Sequence, residues 1–476
     1  MTFTQALLNT TLTQNGALSH KSSMNACLDL FSMGVSATNK EELIINALKE
    51  DPITAIKVVF ALRDCRGGQG NKDIARAFHK VTNKYLATYP AFYNSYLKLL
   101  PYLPEIGSWK DVYALYSLNP VLDNHILKLV NRAIYTDNNA LAAKYFPRQS
   151  KFHKDLAKHR SEDIGTVRRY IANLTKVVET QMCNQQWHAI DYSHVPSIAN
   201  KKYSRAFKRN DSSRYEDFLN KANKGEVTVN SSQLYPHEIV AMCGKRGSGD
   251  FTQHKAANAL WLNQPDYMSE AQNILPVIDT SGSMTSTAYS NYSCMDIAIG
   301  LGLYFAEHNT GSYKDLWCNF SIEPTFMTLN GHTLADRIRN LDYTNWGTTT
   351  NLQAVFDRIL AAAIQAPQDC PKAILIVSDM EFNYCGPSRT NFQEAQAKFA
   401  AYGLTLPTVI FWRVNVKVPQ QPVTQHESGS ILINGYSPAI MKLICAMDLT
   451  ALKDITPIKI MHKALEKYSY ISDIFN

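Results

Sequence analysis

Three short stretches hold oxygen-bearing side chains where a fold could bring them together. In "ILPVIDTSGSM" (274–284), an apolar run ends in the carboxylate of Asp279, and the hydroxyls of Ser281 and Ser283 follow. In "GTTTNLQAVF", Gly347 to Thr350 end an irregular stretch just before the helix-like run that Asn351 opens. In "AILIVSDMEF", a second apolar run ends in Asp379. Hard oxygen donors with no His or Cys beside them suit Mg²⁺, with Mn²⁺ or Ca²⁺ as alternatives. Neutral hydroxyls can touch such an ion directly, while the two carboxylates act through water and balance its charge. That arrangement leaves one coordination position for a carboxylate from a partner. Each stretch alone has a plainer reading: Asp-x-Ser-x-Ser recurs by chance before helices, and a threonine at 350 could simply cap one.

The elements that would position these residues are legible in outline. After about residue 272, apolar strands ("NILPVID", "KAILIVSD", "TLPTVIFWRV") alternate with helix-like runs ("SCMDIAIGLGLYFAEH", "NLQAVFDRILAAAI"). This is the pattern of a doubly wound, mostly parallel α/β sheet, in which ligands bind where strands end. From about 23 to 250, apolar residues recur three and four apart, as in "KEELIINALKED" and "NHILKLVNRAIY". That spacing predicts successive helices, all-α and HEAT-like in their stacking. A polar stretch over 226–272 marks the junction. The expected domains are therefore 1–265, helical, and 266–476, α/β.

The chain has 476 residues, with 45% hydrophobic and 19% charged, which describes a globular protein of more than one domain. The net charge of +7 is unevenly spread. Residues 1–270 carry 34 Lys+Arg against 24 Asp+Glu, leaving 14 against 17 for the rest. A basic excess confined to one half is what phosphate binding would leave, and also what a solvated helical surface leaves. The nine cysteines are scattered and never in a CxxC pair, and no apolar run reaches membrane-spanning length. A cytoplasmic protein is expected.

With these residues in view, the second half resembles a von Willebrand factor A domain. Asp279, Ser281, Ser283, Thr350 and Asp379 match the metal-ion-dependent adhesion site (MIDAS) of that family. Helical repeats followed by such a domain resemble the TROVE architecture of the Ro autoantigen. Phrases across 15–450 resemble a poorly characterised TROVE-like family of bacteria, phages and eukaryotes: "LRDCRGGQG" (62–70), "LPYLPEIGSWKDVYAL" (100–115), "LAAKYFPR" (141–148), "WHAIDYSHVPSIAN" (187–200), "AFKRND" (206–211) and "SDMEF" (378–382). The resemblance implies a non-catalytic RNA-binding protein of a ribonucleoprotein, with structured or single-stranded non-coding RNA as partner. Two basic stretches would serve it: Lys144, Arg148, Lys151, Arg168 and Arg169, then Lys201, Lys202, Arg205, Lys208 and Arg209, with Tyr145, Phe146, Tyr170, Tyr203 and Phe207 interleaved. Cations neutralise phosphate and aromatic faces stack on unpaired bases, although such aromatics are more often core. The competing expectation is a metal-dependent adaptor that captures an acidic residue on a partner protein.

Enzymatic readings fare worse. "HEIVAM" (237–242) has Ala241 where a zincin needs its second histidine. Ser281 and Ser283 lack a GxSxG elbow, and no second acid stands two residues after Asp279. The glycines of "LRDCRGGQG" do not follow a strand, so they are expected to turn one helix into the next while Arg63 and Asp64 pair with neighbours.

Overall fold

The structure is a computed structural model and describes residues 3–86, 90–118, 120–148, 150–175, 177–244, 247, 250–268, 273–320, 322–341, 346–347, 349–447 and 455–475. By packing, the chain forms two compact units: Met1–Asp51 with Tyr192–Glu466, and Pro52–Asp191 with Lys467–Asn476.

The first unit is built on a six-stranded mixed sheet. Its strands are β1 (Ile274–Asp279), β2 (Leu316–Phe320), β3 (Thr325–Thr328), β4 (Ala373–Ser378), β5 (Thr408–Arg413) and β6 (Ser430–Asn434), in the spatial order β6-β5-β4-β1-β2-β3. Every neighbouring pair is parallel except β2–β3, which is antiparallel. β1, β4, β5 and β6 are buried along their whole length, as expected of strands covered on both faces. Pro276 is tolerated in central β1 because the ladder to β2 begins only at Val277. The helix Cys294–His308 crosses from β1 to β2, held at its start by a capping box between Ser293 and Asp296. It lies close on the sheet: a Cβ at Gly302 would come within 2.5 Å of Trp317 and 2.6 Å of Ile278. The next glycine of the run, Gly300, admits the backbone of His237, from the short helix Pro236–Val240.

The N-terminal residues belong to this unit. A hairpin of Thr10–Leu12 and Leu18–His20 lies along the loops that follow β4 and β5, through bridges Gly16 to Asn383, Leu18 to Thr390 and His20 to Gln421. Asn434 of β6 accepts from the backbone N–H of Val35 at 2.8 Å, beside the helix Ala26–Met33.

The second unit is helical in its described residues, with helices such as Pro52–Arg63, Lys72–Leu86, Pro120–Tyr135, Lys151–Arg160 and Ile164–Leu174 packing largely on sequence neighbours. Arg63 forms a buried pair with Asp111 at 2.6 Å. Asp64 accepts from the Tyr468 hydroxyl at 2.8 Å and pairs with Lys467 at 2.5 Å. The glycine turn at 67–70 thus separates helices Pro52–Arg63 and Lys72–Leu86, and Arg63 and Asp64 are engaged structurally. Packing groups the chain differently from a boundary at 265. Helices Ser197–Asn210, Ser212–Asn223 and Phe251–Leu262 pack together within the sheet-containing unit, and residues 1–51 join them there. Among the described residues no helix is long and apolar enough to cross a membrane.

Candidate metal centre at the sheet rim

The strand order places a topological switch between β1 and β4: the chain leaves β1 towards β2 on one side and β4 towards β5 on the other. Loops after the two strands therefore diverge and leave a crevice at their C-terminal ends. Asp279 closes β1 and Asp379 follows β4, and neither has any exposed surface. The parallel register, Ile278 opposite Val377, brings the next residues alongside, and the Ser378 hydroxyl donates to Asp279 Oδ2 at 2.6 Å. The backbone N–H of Ser281 donates to Asp279 Oδ1 at 2.9 Å, which folds the loop so that the Ser281 and Ser283 hydroxyls lie 3.2 Å apart.

The capping readings are answered by geometry. Asn351 accepts from the Ala354 N–H at 3.2 Å and so caps helix Leu352–Gln365 itself. Thr350 is left fully buried, tied through its backbone to Asn383, while its Oγ1 has no hydrogen-bond partner. Ser281 stands before a short 3₁₀ turn, Gly282–Thr285, without a side-chain capping bond, and Ser293 caps the long helix instead. Asp379 Oδ2 is likewise buried without a hydrogen bond, with the Lys417 ammonium 3.6 Å away, beyond hydrogen-bonding length. Buried polar atoms are nearly always satisfied, so two buried oxygens without hydrogen bonds in these loops are acceptors that a hard cation would suit. Burial, and then the charge of Asp379, push the Asp279 carboxyl up to about 7, against the hydrogen bonds from Ser281 and Ser378. A divalent cation would relieve that stress. No three His, Cys, Asp or Glu side chains converge as ligands among the described residues, and the set described here has two carboxylates and three hydroxyls.

Several residues of this region escaped the sequence reading. Ser378 was hidden as one more strand residue. Glu381 is buried, its carboxyl raised chiefly by that burial, and it accepts from the Gln14 N–H at 2.8 Å. Arg413 lies fully buried at the end of β5, its guanidinium pulled down to about 10 by burial despite Glu381 and Asp379 nearby. Lys417 also donates to the Ser283 carbonyl at 3.2 Å.

The basic residues divide between the units. Lys144, Arg148, Lys151, Arg168 and Arg169 lie in the second, and all but half-buried Lys144 are exposed. Lys201, Lys202, Arg205, Lys208 and Arg209 lie in the first, on helix Ser197–Asn210. Lys201 pairs with Glu238 at 2.8 Å, Lys208 with Glu216, and Arg205 with Asp250 at 3.8 Å; Lys202 and Arg209 are exposed. Phe146 and Phe207 are core residues, and Tyr170 stacks on Tyr135 with centroids 4.4 Å apart.

Comparison with known proteins adds kinship without function. Residues 273–465 match a family described as Domain of unknown function (DUF7788), and residues 13–89 and 122–272 match another described as Domain of unknown function (DUF2828). The chain is 27% identical to "Uncharacterized protein L728" of Acanthamoeba polyphaga mimivirus, over 97% of this chain and 88% of that protein. Among solved structures it is similar to the Ro (RSR) protein of Deinococcus radiodurans, at 12% identity and a TM-score of 0.38, covering 90% of this chain and 99% of that one.

Proposed function

We propose that this is a non-catalytic RNA-binding protein of the Ro ribonucleoprotein type, cytoplasmic, with HEAT-like helices and a von Willebrand A-like sheet domain whose MIDAS-like loops hold a divalent cation, Mg²⁺ in the first instance. The RNA reading rests on the exposed cations of the helical unit, Arg148, Lys151, Arg168 and Arg169. Lys151 and Lys144 there lie 5.9 and 5.8 Å from the ring centres of Tyr116 and Tyr145, so charge and aromatic surface are adjacent. Such a surface neutralises phosphates without reading sequence. The cation reading rests on the unsatisfied Asp379 Oδ2 and on the unsatisfied Oγ1 of Thr350, whose backbone is tied to Asn383 in the loop after β4. Ser281, Ser283 and Thr350 would supply hydroxyl ligands, and Asp279 and Asp379 would act through water. Extraction and sequencing of the nucleic acid that copurifies with the protein, against a mock sample, tests the RNA reading; recovery of no RNA above the mock overturns it.

A second reading is an adaptor that uses the bound cation to capture an acidic residue of a partner protein. It is favoured by one observation: of the five residues, Ser283 alone is partly exposed, so any vacant coordination position faces solvent on its side. Protein interactions lost on chelation from RNA-free material would favour it.

A further inference from the structure

Asp279 and Asp379 are two fully buried carboxylates at one crevice, and leaving both charged in a dry site is costly without a compensating cation. A protein side chain already reaches that place. Lys417 comes from the loop after β5, with its ammonium 3.6 Å from Asp379 Oδ2 and donating to the Ser283 carbonyl at 3.2 Å. It therefore touches two of the three loops that carry the oxygen set. The loop that carries it is tied by side chains on either side: the Asn415 amide donates to the Ser286 hydroxyl at 3.4 Å, and the Gln420 amide donates to the Met380 carbonyl at 3.0 Å. Its side chain is about a quarter exposed (26%), so it enters from the solvent edge rather than forming part of the packed core.

We infer that Lys417 is the resident cation of the metal-free crevice, and that a divalent ion enters by displacing its ammonium from Asp379. This rests on the cation reading of the same site. A lysine suits the role because its charge sits at the tip of a flexible stem, and a swing about that stem carries the ammonium into water while the anchored loop stays in place. Two cations beside one carboxylate in a poorly screened crevice repel, so occupancy by one weakens the other. The site would thus stay charge-compensated at low metal, and its metal affinity would be set partly by this residue. The swing would also present an ammonium at the mouth of the occupied site, where an anionic group would meet it.

The test compares wild type, Lys417→Met and Asp279→Ala in the full chain, with Mn²⁺ binding followed by the electron paramagnetic resonance of the free ion. Lys417→Met is expected to bind Mn²⁺ about threefold or more tightly than wild type, the size of one partly exposed ion pair, and Asp279→Ala to bind it far less. In parallel, acetylation of Lys417 by an N-hydroxysuccinimide ester, read by peptide mass spectrometry, is expected to accelerate when Mg²⁺ is added to wild type. Equal or weaker Mn²⁺ binding by Lys417→Met, or acetylation slowed by Mg²⁺, overturns the role of Lys417 and leaves the metal site standing. Absence of Mn²⁺ binding in both wild type and Lys417→Met overturns both.

Discussion

Asp279 ends a dry strand with its carboxyl pushed up to about 7, first by burial and then by Asp379. A carboxylate raised in the fold resists ionisation there, so the metal-free protein loses stability as pH rises from about 4, where the unfolded group ionises, through 7. Asp279→Asn keeps the shape and removes the charge. Its melting temperature at pH 8 without metal is expected to exceed that of wild type, and the rise that Mg²⁺ is expected to give in wild type should be absent from it. Differential scanning calorimetry with and without Mg²⁺ checks both halves; an unchanged Mg²⁺ response would remove Asp279 from the site. Thr350→Val is expected to weaken Mn²⁺ binding with little cost in stability, because the hydroxyl it removes has no partner within the protein.

At the scale of elements, the crossover helix Cys294–His308 decides how closely the first unit packs. Its glycines look like weak points in a helical run, yet Gly302 meets Trp317 and Ile278 where no Cβ fits. Gly302→Ala is expected to destabilise the protein by roughly 1 to 3 kcal/mol, from overpacking that exceeds any gain in helix propensity. The urea midpoint measures this, and an unchanged or higher midpoint would show that the contact yields. The hairpin at residues 10–20 has the opposite character. Its strands are short, and its place is set by bonds to distant loops, such as the Thr13 hydroxyl to the Phe382 carbonyl at 2.7 Å. Nothing local in its sequence announces that partner.

Over the whole molecule, the buried histidines His79 and His237 contribute to the response to acid. Burial holds His79 at about 4 and His237 at about 3, and His79 Nδ1 lies 2.9 Å from the Tyr96 hydroxyl. The unfolded chain takes up these protons near pH 6.5 and the fold excludes them, so stability is full above that value and falls as pH drops towards 4. Asp279 works in the opposite direction over much of this window, so the fall is expected to be steeper in Asp279→Asn and shallower in His79→Gln. Urea midpoints at pH 7.5, 6 and 5 give the comparison; identical slopes in all three proteins would refute it. For RNA, Lys151→Ala with Arg168→Ala and Arg169→Ala is expected to reduce the slope of log affinity against log salt by up to about two units. A filter-binding series measures that slope, and an unaltered one would move RNA off this surface.

Much of this was legible before folding, because it depends on local order. The alternation of "NILPVID", "KAILIVSD" and "TLPTVIFWRV" with helical runs determined that a buried, mostly parallel sheet would form, and acids at two strand ends pointed to its rim. Only tertiary structure decided which strands are neighbours. Placing β1 beside β4 brings Asp279 to Asp379 across a hundred residues, and placing β5 next to β4 delivers Lys417 and Arg413, whose types and spacing carried no signal of their own. It also decided that residues 1–51 and 192–265 pack with the sheet rather than with the helices between them. Periodicity records which face of an element is apolar, whereas the choice of partner for that face depends on the shape and burial of surfaces far away in the chain.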